Sequence, residues 1–324
     1  MFGSHLSIAG SMCNALREAE SLQLDCVQVF TKNQQQWKVN PLKAEDVQEW
    51  AGELRRLKWT MADGQPARTV SHASYLINLA APDDELWGKS IDLMTEEIGR
   101  CEALGIPLLV HHPGAFTTSS REAGLARIAG AYREIFTRTK GYRTVSCLEN
   151  TVGSGSNLGR EFEELGTLRA MIAEATGTPG RVGFCFDTCH AHAGGYDMST
   201  LEGGRAALDA FEASCGLANL RVVHVNDSKG RAGSRRDLHE HIGEGTIGGP
   251  SKRPTAARLG QSGFAAVVNR PELRGVPMIL ETPKGQTKAG TAFDTINVGR
   301  LRRLVEAGDG RGGVGRAKGR ISGS

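Results

Sequence analysis

Nine side chains able to bind a metal ion stand in this chain where short apolar runs stop or in the loops just beyond them. His72 ends one run, His112 another just before Pro113-Gly114, and Glu149 a third. The run over 182–187 closes on Asp187 and is followed by His190, while His224 stands in the next run and Glu281 ends the last. Asp237 and His239 lie between those last two, with one residue separating them. Imidazole and carboxylate donors without thiolate suit zinc, with manganese or iron as substitutes. A lone His in an apolar segment is more often a hydrogen-bonded structural residue, and a lone Asp or Glu at a strand end more often a helix cap. Five His and four carboxylates at corresponding positions are a different matter. Gathered in one concavity, the carboxylates repel one another and resist ionisation unless cations neutralise them. Nine donors exceed the roughly four to six that one ion takes, so two or three ions are expected. Metals a few Å apart clamp the oxygens of an in-line phosphoryl transfer, the chemistry of phosphodiester cleavage.

Something must hold those ends together. The runs expected as strands are 4–8, 26–30, 69–73, 108–112, 144–149, 182–187, 222–227 and 278–281. Most are followed by apolar residues at helical spacing, as over 86–104, 123–137, 162–175 and 200–215. Eight such units over about 300 residues predict an α/β fold, the (β/α)8 TIM barrel, whose strands end on a single face. All nine donors then line one cup. A doubly wound sheet also alternates, but usually has fewer strands and an early Gly-rich phosphate loop, which is not evident. One domain over 1–307 is expected, with a polar, Pro-containing surface insertion near 249–263. The Gly/Arg-rich tail, 308–324, is expected to be disordered.

The net charge is +3, and the tail alone supplies that excess through Arg311, Arg316, Lys318 and Arg320 against Asp309. The remainder is near neutral, so affinity for a polyanion must come from local patches, metal ions or the tail. No apolar run approaches the ~20 residues of a membrane span, and the N-terminus has no signal-peptide pattern, which makes cytoplasmic residence the expectation. The 7 cysteines are odd in number and scattered without a CxxC pair, which argues against a disulfide framework. Cys189, between Asp187 and His190, reads as packing filler. His111 should point away from His112 into the strand–helix layer; His192 and His241 should line the rim, and His5 receives no role.

Between residue 3 and about residue 282 stand Gly3-Ser4-His5-Leu6-Ser7, Gln28-Val29-Phe30 leading to Trp37, and His72-Ala73-Ser74-Tyr75-Leu76-Ile77-Asn78-Leu79. After these come His112-Pro113-Gly114, Leu148-Glu149-Asn150-Thr151, Asp187-Thr188-Cys189-His190 and His224-Val225-Asn226-Asp227-Ser228-Lys229. Asp237-Leu238-His239-Glu240 and Leu280-Glu281-Thr282 complete the series. In this order the motifs resemble endonuclease IV, the zinc-dependent family of apurinic/apyrimidinic endonucleases.

The resemblance implies three zinc ions per chain, with manganese as a substitute. His72, His112 and Glu149 would hold the first, and Glu149, Asp187, His224 and Glu281 the second, with Glu149 bridging. His190, Asp237 and His239 would hold the third. It also implies hydrolysis of duplex DNA 5′ to an abasic site, leaving a 3′-hydroxyl and a 5′-deoxyribose phosphate, with trimming of damaged 3′ ends, as in base excision repair. Glu149, Asp187, His190 and Glu281 would act closest to the reacting phosphate. Tyr75 and Leu76 would enter the lesion, while the loop from Lys32 to Trp37, including Gln35, would touch the DNA. A monomer suffices for all of this. Gln35 departs from the Arg common in the family, and His192 stands where an aromatic is common; neither removes a ligand. The alternative on the same barrel is a sugar isomerase or epimerase with one or two metals, which has no use for Asp237 and His239.

Overall fold

The computed structural model describes residues 1–62, 64–251 and 254–309. Among the described residues ten strands are present: β1 (Phe2–His5), β2 (Cys26–Val29), β3 (Thr69–His72), β4 (Leu108–His111), β5 (Val145–Glu149), β6 (Val182–Asp187), β7 (Leu220–His224), β8 (Asp227–Ser228), β9 (His239–Glu240) and β10 (Met278–Leu280). Eight of them close a parallel barrel in the order β1-β10-β7-β6-β5-β4-β3-β2, and β8 and β9 form a separate antiparallel ribbon. The helices are α1 (Cys13–Ser21), α2 (Ala44–Leu57), α3 (Asp84–Leu104), α4 (Arg121–Arg138), α5 (Phe162–Thr176), α6 (Thr188–Gly194), α7 (Leu201–Cys215), α8 (Ala256–Leu259), α9 (Gly263–Val268) and α10 (Phe293–Asp309).

Parallel strands covered on both faces read as continuous apolar runs, which is why the eight barrel strands stood out in the sequence. Helix starts are chemically marked. The side chains of Asp83, Ser120 and Thr200 accept the backbone N–H groups of Leu86, Ala123 and Gly203, each an N-cap bond. α3 and α5 stop at Gly105 and Gly177, both left-handed.

Inside the barrel the period-two alternation of strand side chains builds two layers. The lower layer is small and apolar, with Cys26, Val70, Val110, Cys147, Cys185, Val222 and Ile279 in mutual contact. Two residues further along each chain segment stand Gln28, His72, His112, Glu149, Asp187, His224 and Glu281. The chemistry therefore sits on a dry floor of its own strands. At Gly3 the first two strands come so close that a Cβ would lie 2.1 Å from the Cys26 carbonyl oxygen, which excludes any side chain there. All 7 cysteines are free and buried. Burial pushes the thiols of Cys26 and Cys147 up to about 12, so they act as small neutral hydrophobes.

Most barrel strands differ from the expected runs by one residue at one end, and three segments differ by more. The first strand runs over 2–5 rather than 4–8, because the chain leaves the sheet at the barrel mouth, although the Leu6 N–H still donates to the Gln28 carbonyl. The seventh begins at Leu220, since exposed Arg221 interrupts the apolar pattern, and Asp227 belongs to the ribbon instead. The 249–263 segment, expected as a surface insertion, contains α8, with Leu259 and Ser262 both buried. Pro254 packs directly on the Gly243 backbone, so this part is anchored in the fold; residues 252–253 lie outside the described residues. Residues 308 and 309 end α10, and the remainder of the expected tail lies outside the described residues. No helix among the described residues is long and apolar enough to cross a membrane.

Candidate metal centre

The barrel face at the strand ends brings all nine expected donors together. His72, Glu149, Asp187 and His224 are the final residues of β3, β5, β6 and β7, while His112 and Glu281 follow directly on β4 and β10. Asp187 also caps α6: its Oδ1 accepts the backbone N–H of His190 at 2.7 Å. That cap explains the three-residue spacing, for it fixes the imidazole in the first turn above the carboxylate. His239 opens β9 of the ribbon, and Asp237 stands in the loop just before it. The ribbon in turn is tied down by buried Asp227, which accepts the N–H groups of Ser228, Gly243, Ile247 and Gly248.

Glu149 is the hub. Its Oε2 lies 3.3 Å from both His72 Nε2 and His112 Nε2, and its Oε1 lies 2.8 Å from His224 Nδ1. One carboxylate oxygen thus faces each of two donor groups. On the second side, His224 Nδ1 is 3.2 Å from Glu281 Oε2 and 3.8 Å from Asp187 Oδ2. A third group forms around Asp237 Oδ1, which is 3.2 Å from His190 Nε2 and 3.2 Å from His239 Nε2. Asp187 Oδ2 is also 3.8 Å from His239 Nε2, so this carboxylate stands between the second and third groups.

The ring nitrogens that face away from these clusters are fixed by acceptors. Nδ1–H of His72 donates to the Ala73 carbonyl at 2.8 Å, that of His190 to the Asn150 carbonyl at 2.9 Å, and that of His239 to the Glu281 carbonyl at 3.2 Å. Nε2–H of His224 donates to Gln28 Oε1 at 2.8 Å. Each ring therefore aims a lone pair inward, the arrangement that metal-binding histidines need. The inward Nε2 atoms of His190 and His239 are buried and make no well-aligned hydrogen bond, each facing the Asp237 carboxylate at 3.2 Å. Buried ring nitrogens converging with carboxylates in this way fit a bound cation. The groups His72–His112–Glu149 and Glu149–Asp187–His224–Glu281 each place their donor atoms within 4.8 Å of one another. Cys189 also comes within that distance of Asp237 and His239, but burial pushes its thiol up to about 12 and its Sγ–H points to the Leu238 carbonyl at 3.8 Å.

Without cations, the surrounding carboxylates favour the protonated forms of His224 and His239. Burial disfavours charge on His224, but Glu281 and Glu149 outweigh it and hold its pKa at about 9. His239 is likewise about 9: burial is outweighed by Asp237 and Asp187. At Glu149 burial favours the neutral acid, yet His224, His112 and His190 pull it well below the usual carboxylate range. The folded metal-free protein thus keeps protons that the unfolded chain releases near the ordinary histidine value of 6.5. Stability from these pairs is complete below pH 6.5 and is lost as pH rises through about 9. Chelator-treated protein is expected to melt at falling temperatures across that window, while metal-loaded protein, whose rings are neutral ligands, should not. Equal pH dependence of the two forms in calorimetry would refute the assignment.

Of the residues expected to touch DNA, Tyr75 stands at the same mouth. Tyr75 is 60% exposed and its ring lies 5.2 Å from that of His72 and 5.9 Å from that of His112. Trp37 and Gln35 are exposed, and Leu76 is half-buried. His111 points outward as expected, its Nε2 2.6 Å from the Tyr132 hydroxyl on α4. His192 does not line the rim. It is buried because the ribbon loop folds over α6, with Nδ1 accepting the Met198 N–H and Nε2 against the Thr246 hydroxyl. His241 is half-buried between Asn297 and the Phe293 ring.

Sequence reasoning overlooked several contributors. Gln28 accepts from His224 and donates through Nε2 to Glu281 at 2.7 Å and to His5 Nδ1 at 2.9 Å, which makes His5 part of the support. Asn226 Nδ2 donates to Asp187 Oδ2 at 2.7 Å, and Asn150 Oδ1 accepts the Asp187 N–H at 2.7 Å. Amides flanking ligand positions were the available signal. Lys229, Arg231, Arg235 and Arg236 are exposed on the loop leading to Asp237, a local basic patch that the whole-chain charge conceals. A cavity of about 1220 Å³ opens beside Glu281 and His239, lined also by Lys32, Tyr75 and Lys284.

Three comparisons bear on this arrangement. Residues 16–297 match the family described as Xylose isomerase-like TIM barrel. A Chloroflexus aurantiacus protein named "Probable endonuclease 4" is 40% identical over 308 residues, 95% of this chain and 99% of its own length. The crystal structure of endonuclease IV from Thermus thermophilus is 32% identical, with a TM-score of 0.75 over 94% of this chain and 99% of that one. A D-tagatose 3-epimerase-like protein superposes with a TM-score of 0.66 at 15% identity, a likeness of fold alone. With near full-length identity at that level and a closed parallel barrel, the chain belongs to the endonuclease IV family of nucleases.

Proposed function

We propose that this protein is a DNA-repair endonuclease that hydrolyses the phosphodiester 5′ to an abasic site in duplex DNA. It leaves a 3′-hydroxyl and a 5′-deoxyribose phosphate and also trims damaged 3′ ends. The reading extends the family's nuclease activity to this chain, and the observation that carries it is the division of Glu149, one oxygen toward His72 and His112 and the other toward His224. A carboxylate so placed is suited to bridging two ions. Three zinc ions would be held: one by His72, His112 and Glu149, one by Glu149, Asp187, His224 and Glu281, and one by His190, Asp237 and His239. When bound, such ions supply Lewis acidity to phosphoryl oxygens and lower the pKa of water.

The chain's own groups do the rest. Gln28, Asn150 and Asn226 hold the carboxylates and rings in place by fixed hydrogen bonds, which preorganises the site before substrate arrives. Asp187 and Asp237 keep the rings of His190 and His239 at the third position, where the leaving 3′-oxygen would lie. Tyr75 and Leu76 are the wedge for the gap left by a missing base. Lys229, Arg231, Arg235 and Arg236 neutralise flanking phosphates. The working unit is a single chain over 1–307. A duplex with one abasic site, incubated with and without chelator, tests the reading: a nick on the 5′ side that chelator abolishes is expected. Intact abasic duplex after incubation with zinc-loaded protein would overturn it.

A further inference from the structure

Two loops of the proposed DNA face meet beneath the barrel mouth, and α3 grips both. The Ser74 N–H donates to Glu97 Oε1 at 2.9 Å, and the Ser74 hydroxyl donates to the Gln34 carbonyl. That hydroxyl also accepts the Leu76 N–H at 3.3 Å. One turn further along α3, Arg100 forks between the two ends of the loop that carries Gln35 and Trp37. Its Nε donates to the Thr31 carbonyl at 3.1 Å, Nη2 to the same oxygen, and Nη1 to the Asn40 carbonyl at 2.9 Å. Lys32 Nζ lies 3.9 Å from Glu97 Oε1 and donates to the Asn33 carbonyl at 2.8 Å.

The three charged side chains are almost dry: Glu97 is 1% exposed, Arg100 7% and Lys32 9%. Burial raises the Glu97 pKa to about 7 against the pull of the Ser74 N–H and of Lys32. Packing alone does not call for such a cluster, since burying charge is costly and well-packed apolar residues often stabilise as much or more. What apolar residues lack is direction. A guanidinium fork and a carboxylate fix the orientation of particular backbone groups.

We propose that Glu97 and Arg100 are positioning residues that lock the 31–40 and 73–78 loops into one platform, so that Tyr75 meets a damaged duplex already in place. This rests on the reading above that those loops touch DNA. Ordering then costs little on binding, and the platform acts on recognition rather than on the bond-breaking step.

Three variants of the full, metal-loaded chain test it. Arg100→Lys keeps the charge and loses the fork, Glu97→Ala removes the acceptor, and Glu97→Gln retains an acceptor for Ser74. The first two are expected to raise KM for an abasic duplex about tenfold with kcat within about twofold, and Glu97→Gln should recover most of the loss. Hydrogen exchange should quicken at 31–40 and 73–78 while the barrel strands and the metal content stay as in the parent. Unchanged KM would overturn the proposal. So would a fall in kcat with loss of metal, or faster exchange through the strands, because either marks a merely structural cluster. Should the parent itself leave abasic DNA intact, the functional reading fails, and the loop-confined exchange still decides whether the clamp exists.

Discussion

Glu149→Gln is expected to lower cleavage of an abasic duplex by at least about 10³-fold while duplex affinity changes by less than about threefold. The side chain is fully buried, and its oxygens are committed in opposite directions. Glutamine has the same shape but presents an NH2 to one side. If the amide nitrogen faces His72 and His112, a donor replaces the oxygen that completes the first group; if it faces His224, the second group is incomplete. Either orientation also removes the negative charge opposite four imidazoles, those of His72, His112, His190 and His224. Tyr75, Trp37 and the basic loop are untouched, so binding should survive. Turnover and filter-binding measurements on the same preparation separate the two effects, and near-normal cleavage would sink the bridging role.

Removal of metal should have the second large effect, on the fold as well as on activity. A site occupied at about 1,000 times its Kd adds about 4.1 kcal/mol, so two such sites match much of the ~5–15 kcal/mol that holds a domain folded. The melting temperature at pH 8 is therefore expected to fall by at least about 10 °C on exhaustive chelation and to return with zinc. Elemental analysis of the parent should find about three zinc ions per chain, as the third donor group requires. Coincident melts with and without chelator would mean that the cup is stable on internal ion pairs alone.

Most of the cup was legible because its members end apolar runs, and strand alternation carries each inward-facing end residue onto the same wall. His72, Glu149, Asp187 and Glu281 are local features of their own segments. Asp237 and His239 end no such run, and what marked them was their spacing of one residue in the loop beyond the seventh run. The supporting amides were hidden for a physical reason. Gln28 meets His224 across 196 residues of sequence, and an amide at a strand end looks no different when its partner is water. His192 was misplaced for a related reason, since its burial comes from a ribbon loop some forty residues on, folded over a short helix. The clamp on α3 was invisible because Glu97 and Arg100 have the spacing of any solvated helix face, and only the barrel reveals which side of α3 is inside.

The position of β10 between β7 and β1 has a consequence in time. A chain emerging from the ribosome presents His72, His112 and Glu149 well before Glu281, and the ring cannot close until the last strand enters it. The first donor group can thus exist while its neighbours are still unmade, exposed to whichever soft or abundant ion is at hand. The second and third groups cannot, because Glu281 supplies a carboxylate to one and the carbonyl that orients His239 in the other. Any choice of metal by the complete cup would then be a late event, made by a barrel that is already closed.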